Sequence, residues 1–199
     1  MRVRPCLLLS RLLLATVLLA AMVFAASPAL AQGRGKRPPE GQTLDHAKDL
    51  LRFDRYDEAI ALLTDLCPRL AGRADAAASG AASACELHLG EAYAAKGELG
   101  EAMEHFGAAR AASGPDTPAR LRFEIQRRLG ETHARWGDIP AALKELQAAL
   151  DAYGDKVEPE RKATVLERMG RMELHQGNRA AGEAHLREGT KRLEWRPEL

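Results

Sequence analysis

Three glycines spaced 40 residues apart, Gly90, Gly130 and Gly170, constrain the fold of this 199-residue chain more than any other feature; each is followed seven residues later by another, Gly97, Gly137 or Gly177. Their surroundings repeat as well. Residues 87–93 read Leu-His-Leu-Gly-Glu-Ala-Tyr, 127–133 read Arg-Arg-Leu-Gly-Glu-Thr-His, and 167–173 read Glu-Arg-Met-Gly-Arg-Met-Glu, each ahead of an alanine-rich amphipathic stretch. A period of this length predicts an array of helical hairpins, each unable to bury its apolar face alone and so stacked on the next. Glycine inside a helix costs roughly 1 kcal/mol relative to alanine, so its return at one register position needs a packing reason, and close backbone approach is that reason. Gly97, Gly137 and Gly177 follow Lys96, Trp136 and Gln176 and precede Glu98, Asp138 and Asn178. That is the pattern of one helix ending and the next beginning. No convincing strand pattern is present, so none of these glycines reads as a phosphate-binding loop after a strand.

These residues resemble the tetratricopeptide repeat. Gly90, Gly130 and Gly170 match its small position eight, and Ala59, Ala102, Ala142 and Gly182 its small position 20. Phe106, Leu146 and Leu186 match the large apolar position 24, and Ala109 and Ala149 the small position 27. A weaker first copy aligns Ala47 and Leu63, 43 residues before the next. The tryptophan often found at position four is absent, with Glu86, Gln126 and Leu166 there, and the last copy departs further with Glu173 at position 11 and Gly189 at position 27. The resemblance covers residues 41–195 and implies an all-α fold: an α-solenoid of about four hairpins packed through Gly90, Ala102, Gly130, Ala142 and Gly170. It implies a noncatalytic protein-protein interaction or assembly module without a cofactor or metal.

In that family the first helix of each hairpin lines a concave groove through positions five, nine and 13. Here these are Leu44, Lys48 and Arg52, then Leu87, Glu91 and Ala95, then Arg127, Glu131 and Arg135, then Glu167, Arg171 and His175. Partner-binding candidates are therefore Lys48, Arg52, Arg127, Glu131, Arg135, Arg171 and His175. Spacings of four predict the pairs Glu131 with Arg135 and Glu167 with Arg171 within helices. Between helices, Arg127 is expected to face Glu167, and Glu131 to face Arg171. Lys48, Arg52, Arg127 and Arg135 are the basic groups left to capture a peptide terminus. The alternative is an ordinary solvated helix face, with binding at an edge or on the convex side.

The amino terminus has another character. Arg2 and Arg4 lead, an uncharged apolar run covers 12–26, and Ala29-Leu30-Ala31 closes it. This is the form of a secretory signal over residues 1–31, with cleavage expected before Gln32. The run is shorter than the roughly 20 residues that span a bilayer, although an uncleaved segment would tether the domain to a membrane. The expected location is therefore exported, periplasmic in a bacterium or extracellular, with a membrane-tethered structural protein as the alternative. Residues 32–41 are polar and rich in glycine and proline and read as a flexible linker whose basic cluster is Arg34, Lys36 and Arg37. Residues 42–199 make one repeat domain.

Three of the 29 basic residues and none of the 28 acidic ones precede Gln32, leaving 26 against 28. Near-neutrality argues against a nucleic-acid surface, so the expected partner is a protein or peptide. Cys67 and Cys85 are the two cysteines beyond that segment, at the end of one expected helix and the start of the next. They form either a disulfide, which an oxidising compartment permits, or two buried thiols. The six histidines show no helical zinc spacing, and a metal-dependent cell-envelope hydrolase rests on them and the acids alone. Residues 71–83, rich in alanine, glycine and serine, read as a frayed link joined to the first turns of the next helix, and Trp195 as a seal at the array's end.

Overall fold

The computed structural model describes residues 40–71 and 76–194. The expected signal segment 1–31, linker residues 32–39 and Trp195 lie outside them. Eight α-helices follow in order among the described residues: α1 Glu40–Arg52, α2 Tyr56–Ala71, α3 Ala76–Lys96, α4 Leu99–Ala111, α5 Ala119–Trp136, α6 Ile139–Tyr153, α7 Pro159–His175 and α8 Arg179–Glu194. A short 3-10 turn, Gly154–Lys156, precedes α7, and no strand occurs among the described residues. Successive helices pair as four hairpins, α1 with α2 through α7 with α8, within a unit spanning Pro39–Leu199.

Two boundaries differ from expectation. Helix α1 begins at Glu40, so the last two residues of the expected linker are helical. The sequence supplies Pro38 and Pro39 immediately ahead and an acid at the positive end of the helix dipole, both of which favour a start there. In the low-complexity link, α3 is already formed at Ala76, because a run of alanines outweighs the single Gly80.

The turns inside the hairpins explain the second glycine series. Gly97, Gly137 and Gly177 have φ of 86°, 95° and 83°, the left-handed region. The amide of Gly137 donates to the Ala134 carbonyl at 3.1 Å and that of Asp138 to the His133 carbonyl at 2.9 Å, satisfying carbonyls the helix end leaves open. Asp138 then caps α6, its carboxylate accepting from the Ala141 amide at 3.0 Å. In the first hairpin the same place is taken by Asp54, at φ 58°, with its carboxylate hydrogen-bonded by the Tyr56 hydroxyl. Aspartate tolerates this backbone better than most side chains.

The first glycine series sits where the paired helices touch. A Cβ built on Gly90 would lie 2.6 Å from the Phe106 ring, on Gly130 2.7 Å from Leu146 Cγ, and on Gly170 2.9 Å from the Gly182 carbonyl oxygen. Ala102 and Ala142, the small residues opposite, are fully buried. Between hairpins lie three apolar clusters. Leu63, Leu66, Leu70 and Leu89 fill the first, Phe106, Ile125 and Leu129 the second, and Phe123, Leu146, Val165 and Met169 the third. Cys67 and Cys85 lie within the first cluster, joined as a disulfide with Cα atoms 5.5 Å apart, and so tie α2 to α3.

Candidate functional site

The first helices α3, α5 and α7 together with the α1–α2 turn enclose a cleft of about 600 Å³. Its floor and apolar edge come from Leu51, Tyr56, Ala94, Ala95 and Met172, and its charged lining from Glu91, Glu131, Arg128, Arg135, Arg168 and Arg171. Four arginines against two glutamates give the lining a positive surplus. A second recess of about 460 Å³ lies toward the opposite ends of these helices, bounded by Lys48, His88, Arg120, Glu124 and Arg161, and it shares Glu91 with the first.

A ladder of ion pairs runs across three helices between the two recesses. Arg128 reaches Glu91 on α3 at 2.6 Å, Arg168 on α7 reaches Glu131 on α5 at 2.7 Å, and Arg161 on α7 comes within 3.5 Å of Glu124 on α5. Arg127 pairs with Glu124 and Glu131 on its own helix. The side chains of Glu131, Arg127 and Glu124 are only 10%, 12% and 16% exposed, so these pairs are screened far less than surface ones. Burial pushes the Glu91 and Glu124 carboxyls up. Stronger pulls oppose it: the His88 hydrogen bond and Arg128 hold Glu91 below the usual carboxylate range, and Arg127 does the same for Glu124.

Folding therefore lowers both pKa values, and the sign of the pH effect follows. Their contribution is complete above the ordinary glutamate pKa of about 4.3 and is lost as pH falls through the depressed folded values. Thermal melts followed by circular dichroism are expected to give a level Tm from neutrality to about pH 5 and a steep fall below about pH 4.3. A level Tm through the acid range would remove the ladder as a stabilising element.

Several sequence-based expectations change here. The pair Glu167 with Arg171 forms, at 2.5 Å. Glu131, however, is met from the next helix by Arg168, not Arg171, and Arg127 turns to its own helix instead of facing Glu167. Arg135 makes no pair with Glu131; its Nη1 donates to the Ala94 carbonyl at 2.7 Å, near the carboxyl end of α3. Lys48 borders the second recess and pairs with Asp45, whereas Arg52 pairs with Asp49 away from the main cleft. His175 is exposed at the end of α7 and does not line the cleft. Leu87, assigned to the groove, is 3% exposed and packs in the second apolar cluster.

One geometric reason covers these shifts. Steps of four residues advance about 40° around a helix with 3.6 residues per turn, so positions five, nine and 13 drift off a fixed face. The face that meets the neighbouring helix also takes in position six, which holds His88, Arg128 and Arg168. Arg128, Arg168, Tyr56 and Met172 were missed for this reason. A helical-wheel comparison of the three copies, in place of fixed positions, contains the signal.

The histidines take structural roles. His88 Nδ1 lies 2.8 Å from Glu91, and His105 Nδ1 lies 2.8 Å from Glu86 while its ring stacks on Tyr93. Among the described residues no group of three His, Cys, Asp or Glu side chains is placed to hold a metal ion, and no helix is long and apolar enough to cross a membrane.

No protein-family profile matches the chain, and no curated protein matches it by sequence. Solved structures do match. A crystal structure of MamA superposes with a TM-score of 0.61 at 14% identity over 78% of this chain and 78% of that one. A putative kinesin light chain from Podosopora anserina with nearly identical TPR-like repeats gives 0.63 at 17% identity, over 84% of this chain and 82% of that one. Likeness at such identities speaks to the fold, and it agrees with the hairpin packing, the turn glycines and the stacked clusters: the chain has a tetratricopeptide-repeat-like α-solenoid fold.

Proposed function

We propose that the protein is an exported, noncatalytic interaction module that holds a segment of a partner protein in the 600 Å³ cleft. The observation that carries this reading is the cleft itself, an open surface crossing from Leu51 in the first hairpin to Met172 in the fourth. It combines small apolar residues with oriented arginines, chemistry suited to holding a peptide. Stacked hairpins present such a surface without assembling a nucleophile, base and oxyanion site. Two features support export: the charged-apolar-small pattern of residues 1–31, and a disulfide, a bond that persists in oxidising compartments.

Site-specific photocrosslinking in the native host tests the reading. Probes at Ala95 and Arg171, in the cleft, are expected to trap one common partner, and a probe at Glu104, exposed on α4, is expected not to. Equal capture from Glu104 would move the binding surface off the cleft. Amino-terminal sequencing of the mature product checks export separately, with Gln32 expected as the first residue.

A further inference from the structure

Two of the most exposed apolar side chains stand at one register position. Phe53 is 70% exposed and Trp136 is 60% exposed. Each immediately precedes the left-handed turn residue of its hairpin, Asp54 or Gly137, and the same place holds Lys96 in the second copy and Gln176 in the fourth. Phe53 lies in sequence between Leu51 and Tyr56, both of which line the cleft, and Trp136 follows Arg135, which also lines it. The two aromatics thus sit on the turn-side rim of one groove. Between them Lys96 is held by Asp57 at 2.8 Å and Glu98 at 3.0 Å, so its charge is already met. Side chains this exposed add little to folding, and large aromatics at the edge of a cleft are the residues that carry binding energy when a partner covers them.

We infer that Phe53 and Trp136 are paired anchor points for an extended acidic segment bearing apolar side chains, a conclusion that rests on the cleft reading above. Charge complementarity selects the acidic segment. Glu131 alone answers Arg127, Arg128 and Arg168, and Arg135 is held by a backbone carbonyl that leaves its charge uncompensated. The spacing selects its apolar residues. First helices of neighbouring hairpins pack about 8 to 10 Å apart, which puts rim residues two hairpins apart at about 20 Å. An extended chain rising about 3.3 Å per residue covers that distance in about six residues. The segment therefore lays apolar side chains about six residues apart on Phe53 and Trp136, with carboxylates between them directed at Arg135, Arg168 and Arg171.

Synthetic peptides test this on the full mature chain carrying Trp195→Phe, which leaves Trp136 as its sole tryptophan. A peptide of alternating leucine and glutamate is expected to shift the Trp136 emission and to bind, by fluorescence anisotropy of a labelled copy. The same pattern in leucine and lysine is expected not to bind. Phe53→Ser and Trp136→Ser, both at exposed sites and checked for an unchanged Tm, are each expected to weaken the leucine-glutamate peptide at least tenfold. Equal binding of the lysine peptide, or affinity indifferent to both serine variants, would overturn the proposal. Binding that is lost on Arg171→Glu yet unaffected at Phe53 and Trp136 overturns the rim while leaving the cleft reading intact. Absence of any peptide binding overturns the acidic-segment assignment, whereas the crosslinking outcome decides the cleft reading independently.

Discussion

Replacing Gly130 by leucine is expected to lower the melting temperature by roughly 10 °C, the largest effect of any single substitution named here. A Cβ there would meet Leu146 Cγ at 2.7 Å and Cδ2 at 2.9 Å, distances that real side chains do not keep, and the Ala142 carbonyl oxygen at 3.1 Å. Leu146 has some freedom to rotate, but the carbonyl belongs to the backbone of α6 and moves only if the hairpin opens. Overpacking of this kind costs about 3 kcal/mol, and each kcal/mol shifts Tm by about 2 to 4 °C at this chain length. Gly130→Ala carries the same first contact and is expected to destabilise despite the roughly 1 kcal/mol that alanine gains inside a helix. Gly107 in α4 is the comparison, because a Cβ there meets nothing within 4 Å. Gly107→Ala is therefore expected to stabilise by up to about 1 kcal/mol. Calorimetry or circular dichroism melts of the three variants decide the matter, and a Gly130→Leu protein melting with the parent would end the close-approach account. Glu91, which on sequence grounds looks like a free groove position, is a poor control because it bonds His88 and Arg128.

Reduction of the Cys67–Cys85 disulfide is the second large effect expected. The bond spans 18 residues and lies within the apolar cluster between the first two hairpins. Closing a loop of this size stabilises by about 3 kcal/mol on the chain-entropy estimate, so Tm is expected to fall by roughly 6 to 12 °C in a thiol reductant. Because each hairpin contacts only its neighbours, the change has a location as well as a size. Hydrogen exchange after reduction should quicken in α1 and α2 while α5 to α8 keep their protection. Identical melts with and without reductant, or uniform loss of protection, would show that the bond does not hold the first hairpin to the array. The first hairpin supplies Leu51 and Tyr56 to the cleft, so the bond also fixes one end of the binding surface.

How much was legible in the sequence depends on the range of the interaction. Gly137 announces its turn because a left-handed residue at a helix end is a local requirement, and glycine meets it with no help from distant residues. Gly130 opposite Leu146 is legible for a related reason: the 40-residue repeat restates one hairpin contact three times, and repetition separates a packing rule from chance. Asp54 shows the limit of this reasoning, since it fills the place of a turn glycine without looking like one.

The cleft was only half legible. That first helices would carry its charges followed from the repeat, and Arg135, Arg171 and Glu131 do line it. Which arginine meets which glutamate depended on the rotation and offset of one helix against the next, and a side-chain pair moves to a new partner when that offset changes by a single residue. Sequence alone therefore determined the period, the turns and the small-residue contacts, all set within one hairpin of about 40 residues. Tertiary structure alone decided the Arg128–Glu91 and Arg168–Glu131 ladder, the union of the two cysteines, and the placement of Phe53 and Trp136 on a shared rim. The physical reason is that these depend on how separate hairpins stack, and side chains about 40 residues apart in the chain meet only once that stacking fixes their relative angle.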